Sequence, residues 1–203
     1  MEVRDLFSEL LTLFPSLAPP LVPGFRAPAM MEEIAAVEKS LAMRFPQDLR
    51  DLLLCANGQE WTDTYRDPFF PELFFRKGEL GHTPSYWLAS VAEIADYTEG
   101  CREMYREIKD DGPFEVIGPT CYHDQMLSIT NSDSACSLCI DLRPEPGGTL
   151  GQVVMLSTQP FQVVVLAPSL KSLLAMILEG FRTNRFRHTS NAYYNVWGDR
   201  TGE

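Results

Sequence analysis

The chain reads as a single-domain α+β protein in which a mixed, mainly antiparallel β-sheet is packed with several α-helices. Three observations predict this class. Apolar residues at helical spacing come early, in residues 3–14, 34–45 and 49–56, and return late, in residues 170–181. The β-forming runs are grouped between residues 114 and 166 and are joined by short Pro/Gly turns, which suits hairpins and not the regular strand–helix alternation of an α/β protein. At 203 residues the chain is long enough for one sizeable core and short for two.

Taken in order, Val3, Leu6, Phe7, Leu10, Leu13 and Phe14 line one side of a helix that stops before Pro15, with Arg4, Glu9 and Thr12 opposite. Residues 17–28 carry Pro19, Pro20, Pro23 and Pro28, and the residue before each proline is pushed away from helical dihedrals, so an extended connector is expected. It is too apolar for a free linker, and residues 1–28 are read as a helix and connector packed on the domain. A second helix opens at Pro28, places Glu32 and Glu33 near the positive end of its dipole, aligns Ile34, Val37, Leu41 and Phe45, and ends at Pro46. The same proline opens a third helix that buries Leu49, Leu52, Leu53 and Ala56 before Asn57-Gly58 offers a left-handed cap. The two helices are expected to pack as an angled pair over one face of the sheet.

Residues 60–81 hold Trp61, Tyr65, Phe69, Phe70, Phe74 and Phe75 among Asp63, Asp67 and Glu72. Ser90 caps a helix to about residue 108, with a stripe interrupted by Gly100. Residues 114–117 and 126–129 read as strands that lead into the sheet core, residues 137–166. There Leu138-Cys139-Ile140-Asp141-Leu142 and Gln152-Val153-Val154-Met155-Leu156 form a hairpin around Pro144 to Gly148, and Gln162-Val163-Val164-Val165-Leu166 supplies a third run, apolar enough to be a central strand covered on both faces. Ser169 caps a last helix with Leu170, Leu173, Leu174, Ile177 and Phe181 on its apolar face. The domain proper is then residues 29–182, followed by a polar, tyrosine-containing extension, 183–203, that reads as an edge strand or a loosely held arm.

Composition limits the function classes. Apolar residues make up 45% and charged residues 22%, as in ordinary globular proteins. No run reaches the roughly 20 apolar residues of a membrane span, and Met1-Glu2-Val3-Arg4-Asp5 lacks the basic start of a signal peptide, so no membrane association and a cytoplasmic location are expected. The 17 basic and 28 acidic residues give a net charge of −11. That sign argues against direct nucleic-acid binding, which rests on cationic neutralisation, and favours a basic protein partner, whose association an acidic face accelerates by roughly 10 to 10³-fold. The five cysteines are odd in number and scattered, so reduced thiols are expected.

No constellation points to catalysis or to a cofactor. Cys136 and Cys139 form a C-x-x-C, but Ile140-Asp141-Leu142 continues as a strand, which supplies no helix N-terminus to activate a thiol and sends the two side chains to opposite faces. Cys121 and His123 complete a metal set only on irregular spacing. The acids Asp124, Asp133, Asp141 and Glu145 cluster around the hairpin without any triad, H-E-x-x-H or G-x-S-x-G pattern. Asp141, just before the Pro144/Gly147/Gly148/Gly151 turn, is placed to accept backbone N–H bonds across it. His82, His123 and His188 stand apart from one another. The aromatics of residues 61–75 have two readings, as a plug beneath a long loop or as partly exposed anchors, Trp61 and Tyr65 with Asp63, Asp67 and Glu72, for a protein partner; Asp124 and Asp133 join that candidate surface.

Two motifs carry a family resemblance. I-D-L-x-P-x-P-G-G-x-x-G-Q-V at residues 140–153, followed by V-L-A-P-S-L at 165–170, resembles the signature of the SUKH superfamily, which includes bacterial toxin-immunity proteins and a yeast regulator of cell-wall glucan synthesis. Upstream, residues 34–58 resemble the family's opening pattern of acidic helix, proline, second helix and Asn-Gly. Where relatives commonly carry tryptophans and a proline before the hairpin, this chain has Cys121, Met126 and Ser128. The resemblance implies a non-catalytic binding module, an intracellular immunity protein that occludes a toxin domain of the nuclease or deaminase class. A regulatory scaffold of a cell-envelope or signalling complex is the alternative it also implies, and a metal-dependent hydrolase using the carboxylates and His123 is the reading from a different class.

Overall fold

A computed structural model describes residues 1–60, 67, 69–71, 86–105, 122–132, 136–158, 161–190 and 195–199. The strand expected at residues 114–117 and most of the aromatic-rich loop lie outside them. Helix α1 (Val3–Leu13) runs into a 3-10 turn (Phe14–Ser16) at Pro15, and its buried stripe is Val3, Leu6, Phe7 and Leu10. Helices α2 (Met31–Leu41) and α3 (Gln47–Leu53) follow, then strand β1 (Tyr86–Leu88) and helix α4 (Val91–Tyr105). Five more strands come next, β2 (Met126–Ser128), β3 (Thr130–Ser132), β4 (Cys136–Asp141), β5 (Gln152–Thr158) and β6 (Phe161–Ala167). Helix α5 (Leu170–Arg182) and a hairpin of β7 (Phe186–Ser190) and β8 (Asn195–Asp199) close the order. These elements make the α+β class expected from the sequence.

The central sheet is antiparallel with the order β2-β4-β5-β6. Its alternation sorts side chains onto two faces. Leu138, Ile140, Val153, Met155 and Leu166 enter the main core with the buried residues of α1, α3 and α5. Cys139, Val154 and Leu156 point the other way, against Tyr122, Met126 and Cys101 of α4. Strand β5 is therefore covered on both sides, and Val153 to Leu156 are all buried. The run expected to be central and doubly covered, β6, instead forms an edge among the described strands, because hydrophobicity alone does not fix strand order. Past Ile129 the chain leaves β4, and β3 pairs with β1 in a separate antiparallel ladder, while Ala89 N–H donates to Ile129 O (3.0 Å).

Two helix expectations need correction. α2 starts at Met31, not at Pro28, because Ala29 N–H is engaged by Leu53 O (2.9 Å) and Met30 is extended. It ends at Ala42, whose φ of 52° is left-handed, so Phe45 lies beyond the helix although it is buried. That break separates α2 from α3: α2 packs on α4, and α3 on α1 and α5. Between them Glu38 ties the corner, accepting from Phe45 N (2.6 Å) and from Arg50 Nε (3.0 Å). Capping went as the sequence suggests for α5, where Ser169 Oγ accepts from Ser172 N (3.1 Å), and for α4, where Ser90 and Glu93 form a reciprocal box.

The connector and the loops meet at residues 57–60. Asn57 N–H donates to Ala27 O, Arg26 N–H to Gly58 O and Glu60 N–H to Gly24 O. Asn57 Oδ1 accepts Val91 N–H (2.8 Å) at the start of α4, and Gln59 Oε1 accepts from both Phe69 and Leu88 (3.0 Å each). Gly58 is left-handed (φ 79°), as a left-handed residue was expected here, but it caps no helix. It lets Ser90 approach: a Cβ at position 58 would stand 2.4 Å from Ser90 N. Phe69, held by Gln59, sits at the centre of an aromatic cluster, 5.8 Å from Phe7, 5.3 Å from Phe25 and 4.8 Å from Phe70. For Phe69 and Phe70 the plug reading is thus the one seen. At the other end Phe186 of β7 packs on Phe181 (5.1 Å) and fills the space above Gly180.

Two outcomes are expected. Gly58→Ala sets a strained φ against a backbone atom that cannot step aside, at a cost of roughly 3 kcal/mol; urea unfolding should show a lower midpoint with an unchanged m-value. Glu93 pairs twice with Arg26 (2.7 and 3.0 Å); burial pushes its carboxyl up, but the hydrogen bonds from Arg26 and Ser90 outweigh this and hold it below the usual range. A depressed carboxylate contributes stability that is present above its unfolded-state pKa, about 4.3, and lost as pH falls through the lower folded value. The thermal midpoint should therefore drop below about pH 4.3, and Glu93→Gln should flatten that part of the profile.

Candidate partner-binding surface

The β4–β5 connection is held from inside. Asp141, with no solvent exposure, accepts from Arg143 N–H (2.9 Å), Gln152 Nε2 (3.0 Å) and His123 Nε2 (3.0 Å). Gln152 Oε1 in turn accepts Thr149 N–H (3.0 Å), and Asp141 O accepts Gly151 N–H (2.8 Å). Gly147 and Gly151 take positive φ (104° and 84°), while Gly148 closes a tight turn by donating to Glu145 O (2.9 Å) next to Pro146. Pro144 sits half-buried at the start of the turn. Since Gln125 N–H donates to His123 Nδ1 (3.2 Å), the ring proton is on Nε2 and faces Asp141. Both imidazole nitrogens are thus engaged within the turn network. The network makes the turn rigid.

Solvent-facing acids gather elsewhere. On α4, Asp96, Glu99 and Glu103 are exposed at spacings of three and four and so share one face. Arg102, between them, donates to Glu99 Oε1 (2.6 Å), to Asp124 O (2.6 Å) and to Leu41 O (3.4 Å), which locks α4 to the β2 turn and to the end of α2. Asp124 thereby stands beside the α4 acids; its side chain is 67% exposed and 3.0 Å from Arg143. Glu32 and Glu33 are exposed on the neighbouring α2. This ridge was not singled out from the sequence, although the acids at 96, 99 and 103 carried the signal.

Of the residues proposed from sequence as partner-facing, Asp124 is on the surface and Asp67 is not. Asp67 is 7% exposed, and its carboxylate accepts Val22 N–H (2.8 Å) while its carbonyl accepts Gln59 Nε2 (3.1 Å). It anchors the connector instead of presenting a charge, because a buried carboxylate has to be hydrogen-bonded. Trp61, Asp63, Tyr65, Glu72 and Asp133 lie outside the described residues, as do His82 and Cys121.

The described residues hold no group of three or more His, Cys, Asp or Glu side chains arranged for a metal ion. Cys55, Cys101 and Cys139 are free thiols, and burial pushes all three up, Cys139 most strongly, which disfavours the nucleophilic thiolate. Burial also raises the Tyr122 hydroxyl, which donates to Met126 O (3.0 Å). No described helix is long and apolar enough to cross a membrane.

A rigid hairpin turn, an acidic helix face and a doubly covered β5 are thus the features that comparison with known proteins has to meet. No curated protein matches the chain. The model of the SMI1 / KNR4 family (SUKH-1) matches residues 28–176, a span that runs from the start of the α2 segment into α5 and takes in both the Asn57-Gly58 tie and the Asp141 turn. On that match, which covers most of its length, the chain belongs to the SMI1 / KNR4 family (SUKH-1).

Proposed function

We propose that this protein is a non-catalytic immunity protein, acting in the cytoplasm, that binds and occludes a basic toxin domain of the nuclease or deaminase class. Family membership supports an immunity-type or regulatory role. The observation that carries the finer reading is the exposed ridge of Asp96, Glu99, Glu103 and Asp124, in which Arg102 binds the Glu99 carboxylate and the Asp124 backbone carbonyl. Enzymes that act on nucleic acid keep cations where phosphates sit, and carboxylates held at fixed spacing oppose those cations as phosphates do. With a net charge of −11, the long-range field and the local surface have the same sign. An interface of ordinary size, about 800 Å² per partner, needs apolar anchors as well, a role that fits Trp61 and Tyr65, with Asp63, Glu72 and Asp133 as further acids at its rim.

The test is association kinetics with a purified basic toxin domain of the nuclease class. Reversal of Glu99, Glu103 and Asp124 to Lys should slow association at least 10-fold at low salt and flatten its dependence on ionic strength. Reversal at Asp63 and Glu72 examines the second acidic group in the same way. Unchanged kinetics in both variants rejects the electrostatic reading.

A further inference from the structure

Strand β6 has β5 on one side and, among the described residues, no strand on the other. Natural edges are blunted by short length, charge, proline or a covering element. β6 has seven residues, Phe161-Gln-Val-Val-Val-Leu-Ala167, with no charge and no proline. Val165, in the middle, is 39% exposed, and Leu150 in the adjoining turn is 71% exposed. Between the end of β6 and that turn is a hollow of about 360 Å³, lined by Gly147, Thr149, Gln152, Val165, Ala167 and Pro168. The Asp141, Gln152 and His123 hydrogen bonds hold its wall in place before anything binds.

We propose that the outer edge of β6 accepts an extended strand of the basic partner protein, with one apolar side chain of that strand seated in this hollow. This rests on the reading that such a partner is bound at all. An open strand edge presents N–H and C=O groups at the repeat of a β-ladder, so the group that satisfies it is another extended backbone, and alternate side chains of the added strand then reach any pocket beside it. A second copy of this chain is disfavoured, since two molecules of net charge −11 repel, whereas a cationic polypeptide is attracted. Position agrees with this. Val165 shares the sheet face of Val163, Val154 and Leu156, the face covered at its β2 side by the second half of α4. β6 lies three strand spacings, near 14 Å, from β2, beside whose start Asp124 stands, within the reach of one interface.

The full chain is mixed with a purified basic toxin domain of the nuclease class, and amide exchange of residues 162–167 is followed. Exchange should slow at least 10-fold in the complex. Val165→Lys should weaken binding at least 10-fold while Val165→Thr, which keeps the β-branch, retains it; if Val165→Lys does not fold, the exchange result on the unaltered chain decides. A complex that forms with no protection at β6 overturns this inference and leaves the immunity reading standing. If the domain does not bind, both fail. If the chain instead forms a homodimer that Val165→Lys disrupts, the occupant is a second copy and the inference is wrong.

Discussion

The connector, the aromatic cluster, β1 and the start of α4 are all hydrogen-bonded to a single short segment, Asn57 to Glu60. These parts come from three separate stretches of the sequence, and each brings backbone groups that would otherwise be buried without partners. The segment can serve them all only because its second residue has no side chain, which brings the Ser90 backbone within 2.4 Å of where a Cβ would stand. The glycine is needed both for its left-handed φ and for that close approach. Loss of this contact would release Phe69 through Gln59 and the α4 cap through Asn57 together, since they share the same few atoms of backbone.

The sheet depends on this tie at one end and on a second one at the other. β1, placed by Gln59, pairs with β3, and β3 continues from β2 past Ile129, so the Asn-Gly segment is connected through two strands to the central ladder. At the far end of β4 the buried Asp141 satisfies its charge with three donors, and the turn that follows is held nearly as firmly as the strands. Binding surfaces on rigid elements lose less entropy on association than surfaces on loose loops. That is the physical link from this fold to a role in gripping another macromolecule. For the proposed partner, the acidic helix supplies long-range attraction, and the turn and strand edge supply short-range shape.

Much of the fold was legible from residue order. The apolar stripes of α1 and α5, the Ser169 cap, the β4–β5 hairpin and the turn role of Asp141 all follow from local periodicity and turn chemistry, and these are settled within about ten residues. The failures share a cause. α2 begins late because Ala29 is engaged by Leu53, and Asp67 is buried because it faces Val22, 45 positions earlier. The α4 ridge was passed over because Arg102, which holds Glu99, reaches Asp124 across 22 positions.

By itself, the sequence determined the helices α1, α4 and α5, the strands β4, β5 and β6, where the hairpin turns, and the sign of the field around the molecule. It did so because capping, alternation and net charge are local or additive properties. The tertiary structure alone decided that β6 lies at an edge among the described strands and β5 in the middle, and that Asp67 is inside while Asp124 is outside. Strand order and the burial of a carboxylate depend on which distant backbone groups arrive to pair with them, and one-dimensional spacing carries no record of that.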